Sequence, residues 1–320
     1  AAGKIAAPAV PQPMSPAKLK TLQDALPPFP GAASSAIRDY LDFYRLDFSE
    51  KYPLAVYRCG RVASGDFQLM TQCWSRPDAR ANLLLVHGYF DHSGLYDKLI
   101  DYGLSRSCNV LIFDLPGHGL SSGEAGVIDD FADYGKAITD VLHSAGLPEL
   151  PLHVIGQSTG CAALVECARH HAWPFQRAVM LAPLVRPAGW LGVRAGYLLL
   201  HRFSDSVVRK FSRNSSDLDF LEFVRRDPLQ SHRVSLRWIG ALRRWLGGLL
   251  LTDLGVGPVL VIQGQRDGTV AWRYNMGAIS RLFPGSEIHY LPQAGHQLAN
   301  ESAQIRASYS NEIDRYLFSQ

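Results

Sequence analysis

A chain of 320 residues is long enough for one large α/β domain or two modest ones. Nearly half of it is apolar and about a fifth is charged, the composition of a globule, which excludes a disordered or fibrous chain. The net charge of +3 is too small to call for nucleic acid as a partner, and no apolar run reaches membrane-spanning length.

Residues 1–16 are rich in Ala and Pro, lack the apolar core of a signal peptide and cannot build a hydrophobic core. Residues 1–13 are expected to be a cloning remnant ahead of Met14 or what processing leaves, and 1–35 an N-terminal extension. From about residue 61, strand-like and helix-like segments alternate, which predicts a mostly parallel sheet flanked by helices. The strand candidates are Phe67–Trp74, Asn82–His87, Val110–Leu115, Leu152–Ile155, Ala178–Leu181, Val259–Gln263 and Glu287–Leu291. Unbroken runs such as Leu83–Val86 and Val110–Phe113 suit strands covered on both faces. Helices are expected over Phe131–Ala145, Cys161–His171, Arg273–Phe283 and Ser302–Leu317.

The alternation stops over residues 184–254, which show helical patterning and no clear strand; they read as a helical cap inserted between residues 36–183 and 255–320 of the core. Residues 185–245 hold twelve Lys/Arg against five Asp/Glu, a local excess of positive charge that fits either a solvated face or attraction to anionic head groups and membrane surfaces. The cysteines at 59, 73, 108, 161 and 167 form no C-x-x-C pair and no ligand set with histidine, so no metal and no cofactor is expected. Their odd, unpatterned number favours a reducing, cytoplasmic location over a secreted or periplasmic one reached by processing.

Gly156-Gln-Ser-Thr-Gly160 joins the apolar run ending at Ile155 to the small-residue helix beginning Cys161-Ala-Ala. Strand, glycine-flanked serine and helix together form a nucleophile elbow, a turn so sharp that Ser158 must adopt a strained backbone conformation. Glycine at 156 and 160 answers the crowding on either side of it. A serine hydroxyl needs a base to take its proton and a third group to orient that base. Asp267 stands in the loop after the strand Val259–Gln263, and His296 in the loop after Glu287–Leu291, so both converge on the sheet edge that carries Ser158.

The chain resembles the α/β-hydrolase superfamily, and within it the monoacylglycerol lipase, lysophospholipase and serine aminopeptidase S33-like group. The stretches that carry the likeness are His87-Gly-Tyr-Phe-Asp-His-Ser-Gly94, Asp114-Leu-Pro-Gly-His-Gly-Leu-Ser-Ser-Gly123, the elbow, Leu181-Ala-Pro-Leu184, Asp227-Pro-Leu229, Gly264-Gln-Arg-Asp-Gly-Thr-Val270 and Ala294-Gly-His296. The resemblance implies an oxyanion hole made by the backbone N–H groups of Tyr89 and Thr159, and loop-bracing roles for His87, His92, Ser93, Asp114 and His118. One departure is the elbow itself, Gln-Ser-Thr where these lipases carry His-Ser-Met.

The expected activity is hydrolysis of lipid-like monoesters through an acyl-enzyme, with Phe90, Trp190, Leu191, Tyr197 and Leu198 contacting the substrate. The alternatives are a small-ester carboxylesterase, another acyl or carbon–carbon hydrolase on the same scaffold, and a non-catalytic binding protein that has kept the fold.

Overall fold

The structure, a computed structural model, describes residues 14–319, so the expectation for residues 1–13 lies outside the described residues. In chain order the first elements are α1 (Pro16–Ala25), α2 (Ser35–Phe43), β1 (Val56–Ser64), β2 (Phe67–Ser75), β3 (Ala81–Val86), α3 (Asp97–Ser105) and β4 (Cys108–Phe113). Then come α4 (Ala132–Ala145), β5 (Leu152–Gln157), α5 (Thr159–His170) and β6 (Arg177–Leu181). The insertion carries α6 (Trp190–Leu200), β7 (Ser206–Val208), α7 (Leu218–Arg226), β8 (Arg233–Ser235) and α8 (Leu236–Gly248). The chain finishes with β9 (Leu260–Gly264), α9 (Trp272–Leu282), β10 (Glu287–Leu291) and α10 (Ala303–Phe318).

Alternation along the central strands sorts their side chains to two faces. Leu83, Leu85, Val110 and Ile112 join a core with α1, α2, α3 and α10, whereas Leu84, Val86, Leu111 and Phe113 join a second with α4, α5, α8 and α9. All of β3 and β4 is buried, as unbroken apolar runs covered by helices on both sides should be. Each such Leu or Val contributes about 1.5–3 kcal/mol by leaving water. The sheet has eight strands in the order β1-β2-β4-β3-β5-β6-β9-β10. β2 runs antiparallel to both its neighbours, and every pair from β4 to β10 is parallel. Strand order reverses about β3, so the loops after β3, β5, β9 and β10 gather at one edge of the sheet.

Two regions differ from the expectation. Residues 14–35 are built into the first core: Leu19, Leu22 and Leu26 are buried, and Gly31 exchanges two backbone hydrogen bonds with Cys59 of β1 (2.7 and 3.0 Å). α1 is a short helix, capped by Ser15 and started by Pro16, whose two buried leucines lie three apart. Its Ala/Pro-rich surroundings hide that spacing. β1, also unpredicted, is an edge strand with polar and small residues interleaved, so its signal is weak. In the insertion, β7 and β8 pair antiparallel, Ser206 opposite Ser235, where no strand was expected. Three residues a side are too few to show a period of two.

Candidate active site

Ser158 lies between β5 and α5 with φ 53° and ψ −112°, in a region that side chains disfavour. The elbow is held by Ser158 N–H donating to Leu181 O (2.9 Å) and by Leu184 N–H donating to Ser158 O (3.1 Å). A Cβ on Gly160 would clash with Val86 O, and one on Gly156 would meet Leu164 Cδ1 at 2.9 Å and the Gly160 carbonyl group at 3.2 Å. The crowding that demands glycine at 160 therefore comes mainly from the neighbouring strand β3.

The Ser158 hydroxyl donates to His296 Nε2 at 3.0 Å, and His296 Nδ1–H donates to Asp267 Oδ2 at 2.7 Å. All three side chains are buried. Burial pushes the Asp267 carboxyl up, but His296 and the N–H groups of Val270 and Thr269 outweigh it and hold the carboxyl below its ordinary value. An ionised Asp267 can only accept, which leaves the proton of neutral His296 on Nδ1 and its Nε2 lone pair facing the serine.

The histidine loop is fixed from three sides. Gln157, the fully buried residue before Ser158, donates to His296 O (2.8 Å) and accepts from Ala299 N–H (3.2 Å). The departure from the usual His in the elbow thus places an amide that staples the His296 loop to β5. Glu301 accepts from Gly295 N–H (2.8 Å). Asn214 O, in the insertion, accepts from the N–H groups of His296 (3.0 Å) and Gln297 (2.9 Å). Neither tether was legible in the sequence, because both are made by residues without motif character.

The loop after β3 faces the same site. Among the described residues no acceptor takes the N–H of Tyr89 or of Thr159, the latter at the N-terminus of α5. Phe90 has φ 68°, a strained conformation for a non-glycine residue, held by Gln230 Nε2 donating to its carbonyl (2.8 Å). His87 accepts from Leu115 N–H at Nε2 (2.9 Å) and bonds Gly88 O through Nδ1 (2.8 Å); burial and the nearby His118 keep it neutral. Burial lowers His118 to about 4. Asp114 accepts from Ser93 N–H (2.7 Å) and Leu120 N–H (2.8 Å), bracing two loops well apart from His296. His92 Nε2 meets Asp227 Oδ2 at 2.7 Å, and Tyr44 OH donates to Asp227 Oδ1 at 2.7 Å, so one carboxylate joins the end of α2, the loop after β3 and the insertion. His153 is buried, but its Nδ1 has no hydrogen-bond partner, and burial lowers the ring to about 4.

A cavity of about 250 Å³ opens above Ser158 and His296, walled by Phe90, Phe211, Phe220, Leu221, Val224 and Trp238. Of the expected contact residues only Phe90 lines it. Trp190 is buried in the second core, Tyr197 stacks on His201 and packs against Gly240 of α8, and Leu191 and Leu198 are exposed to solvent. α6 is apolar around most of its circumference, so its sequence names no face; packing through Tyr197 onto α8 decides the matter. The wall comes instead from α7, α8 and the segment after β7. Among the described residues no group of three His, Cys, Asp or Glu could hold a metal ion.

Sheet order, elbow and the serine–histidine–aspartate line define an α/β-hydrolase with a capped active site. Residues 77–303 match the serine aminopeptidase, S33, family, and the chain belongs to that family. It is 25% identical over 250 residues to a monoglyceride lipase homolog of Monkeypox virus, covering 75% of this chain and 90% of that protein. To the monoglyceride lipase of Rattus norvegicus it is 30% identical over 209 residues, 59% of this chain and 65% of the rat protein. Phospholipase YtpA of Bacillus subtilis is 25% identical over 210 residues, 62% and 80% of the two chains. A soluble variant of monoglyceride lipase from Saccharomyces cerevisiae, solved with a substrate analog, shares the fold with TM-score 0.68 at 19% identity, over 81% of this chain and 94% of that one. By fold and family the protein is a carboxylic ester hydrolase.

Proposed function

We propose that the protein hydrolyses lipid-like monoesters, with Ser158 as nucleophile, His296 as base and acid, and Asp267 as the group that orients the imidazole. The observation that carries this reading is the continuous line of hydrogen bonds Ser158–His296–Asp267 (3.0 and 2.7 Å) at the base of an aromatic-walled cavity. Ser158 Oγ attacks the ester carbonyl as His296 Nε2 takes its proton. The same proton passes to the departing alcohol, leaving the acyl group on Ser158. Water then gives a proton to His296, attacks the acyl carbon and releases the acid, and the proton returns to Ser158 Oγ. The free N–H groups of Tyr89 and Thr159 are the donors for the oxyanion, each worth about 3 kcal/mol of barrier.

The lipid part of the reading is supported by the apolar cavity wall and by relatives that are named lipases and phospholipases. Approach to a lipid surface is assigned to α6 and the turn after it. Leu191, Leu199 and Phe203 are 75, 72 and 86% exposed, and the same segment carries the exposed Arg194 and Arg202, a mix of apolar and basic groups that suits a peripheral contact. Among the described residues no helix is long and apolar enough to cross a membrane.

The test is a fluorophosphonate probe together with a panel of nitrophenyl esters from C2 to C16. Labelling at Ser158, its loss in Ser158→Ala, and a rate maximum at medium or long chains are expected. A maximum at acetate would leave a small-ester hydrolase, and turnover retained in Ser158→Ala would remove the nucleophile assignment.

A further inference from the structure

Three cations border the catalytic cavity: Arg209, Lys210 and Arg225. They differ from Arg226 and Arg237 of the insertion, which are ion-paired. Arg226 pairs with Glu222 (2.7 Å), and Arg237 pairs with Glu124 and Asp129 (3.0 and 2.6 Å), fastening α8 to the core. Among the described residues no carboxylate lies within ion-pair distance of Arg209, Lys210 or Arg225.

Arg209 is the best placed of the three. Its guanidinium lies 3.9 Å from the centre of the Phe90 ring and 4.3 Å from that of Phe211, two walls of the cavity. Nη1 donates to Gln230 Oε1 (2.8 Å) and Ser231 O (3.1 Å), which fixes the plane of the group. No protein acceptor is recorded for its Nε and Nη2 among the described residues. Burial pushes its pKa down to about 10 against the opposing charges of Asp91 and Asp227, the mark of a cation short of water. A planar, immobilised and partly dehydrated guanidinium beside the reacting centre is the type of group that recognises phosphate or carboxylate by paired hydrogen bonds. Gln230 also carries the link onward, because its Nε2 donates to Phe90 O, one residue past the Tyr89 N–H.

We propose that Arg209, with Lys210 and Arg225 at the mouth, forms a subsite for an anionic oxygen group, phosphate foremost, carried by the alcohol half of the ester. This rests on the ester-hydrolase reading above and narrows it to anionic glycerol esters of the lysophospholipid type over neutral monoglycerides. The aromatic and aliphatic wall of α7 and α8 takes the acyl chain, and the cations take the head group.

The experiment compares kcat/KM for 1-octanoylglycerol and 1-octanoylglycerol 3-phosphate, both below their micelle concentrations so that no surface contributes. Methyl hydrogen suberate, with its charge on the acyl half, is the third substrate. Wild type should favour the phosphate ester over the neutral one. Arg209→Gln should lower that preference about 10- to 100-fold, the size of a charge-assisted hydrogen-bond pair, and Arg209→Lys should restore part of it. Inorganic phosphate should inhibit wild type competitively and Arg209→Gln far less. Arg226→Gln, outside the cavity, should leave the preference as it was. If Arg209→Gln does not fold, Lys210→Gln/Arg225→Gln should lower the same ratio by about 2- to 5-fold, as exposed charges do.

Equal losses on both glycerol esters would make Arg209 a staple for Gln230 and overturn the proposal. A gain for the suberate ester alone would overturn the placement on the alcohol half. Absence of turnover on all three substrates in wild type would instead overturn the ester-hydrolase reading on which it stands.

Discussion

The sheet edge and the cap solve opposite problems. At the sheet edge every ionisable group the chemistry relies on is buried and bonded. Asp267 accepts from His296, Thr269 and Val270, and Asp114 and His87 both tie the loop after β3 to the loop after β4. Among the described residues the cap leaves leucines of α6 in solvent and cations at the cavity mouth without an ion-pair partner, and its two strands pair over only three residues each. A catalytic line must hold its geometry to a fraction of an ångström, which close packing supplies. A substrate-facing surface must instead leave some binding capacity unspent. The two regions are joined by Asp227 with His92 and Tyr44, Gln230 with Phe90, Asn214 with the histidine loop, Ser216 with Glu301, and Trp238 stacked on Tyr89.

The contrast is broken most severely at the sheet edge. Asp267→Asn should cost about 10⁴ in kcat by offering His296 the wrong tautomer, with circular dichroism and melting little changed. Asp114→Asn should act the other way, on stability before chemistry, because its oxygens brace backbone N–H groups and touch no triad member. Nitrophenyl-ester kinetics and melting curves on both variants decide it. A folded Asp114→Asn as inactive as Asp267→Asn would mean that the wrong acid has been assigned.

The joint between the regions is the next in size. Asp227→Ala strands a buried histidine and should cost about 3–5 kcal/mol of stability, read by denaturant unfolding. Burial pushes His92 down, but the Asp227 charge and hydrogen bond overcome it and hold its pKa above the ordinary 6.5. Burial pushes Asp227 up, but the His92 charge and bond, with help from Tyr44, hold it below the ordinary 3.8. The histidine's share is therefore complete below pH 6.5 and lost as pH rises through its raised value. The aspartate's share is complete above pH 3.8 and lost as pH falls through its lowered value. The stability gap between wild type and Asp227→Asn should be widest between those two ordinary values and narrow on either side. A gap that is flat with pH would mean that the pair is no ion pair.

The smallest expected effect lies on the cap's outer face. Leu199→Ser, at a residue 72% exposed, should lower turnover of vesicle-bound ester about 3- to 10-fold by removing one inserted leucine, and leave soluble C4 ester untouched. Equal effects on both substrates would place α6 in the cavity after all and erase the distinction drawn here.

Much of this molecule can be read from its residues because the strongest signals are local. Unbroken runs such as Leu83–Val86 suit strands covered on both faces, and the glycines around Ser158 report a sharp turn, although the crowding at Gly160 itself comes from β3. The order of serine, acid and histidine, each just past a strand, already implies a shared edge once the sheet is parallel. What stayed hidden depends on partners distant in sequence. α1 is a two-leucine helix that becomes part of a core only when the sheet is there to receive it, and Gln157 becomes a staple only when His296 comes back to it from 139 residues away. The wall of the cavity was misplaced for the same reason. Composition marks α6 as apolar, but whether Leu198 or Phe220 meets a substrate depends on how α6, α7 and α8 cross over a sheet edge. That is settled by packing at contacts such as Tyr197 on Gly240, whose free energy exists only in the assembled fold.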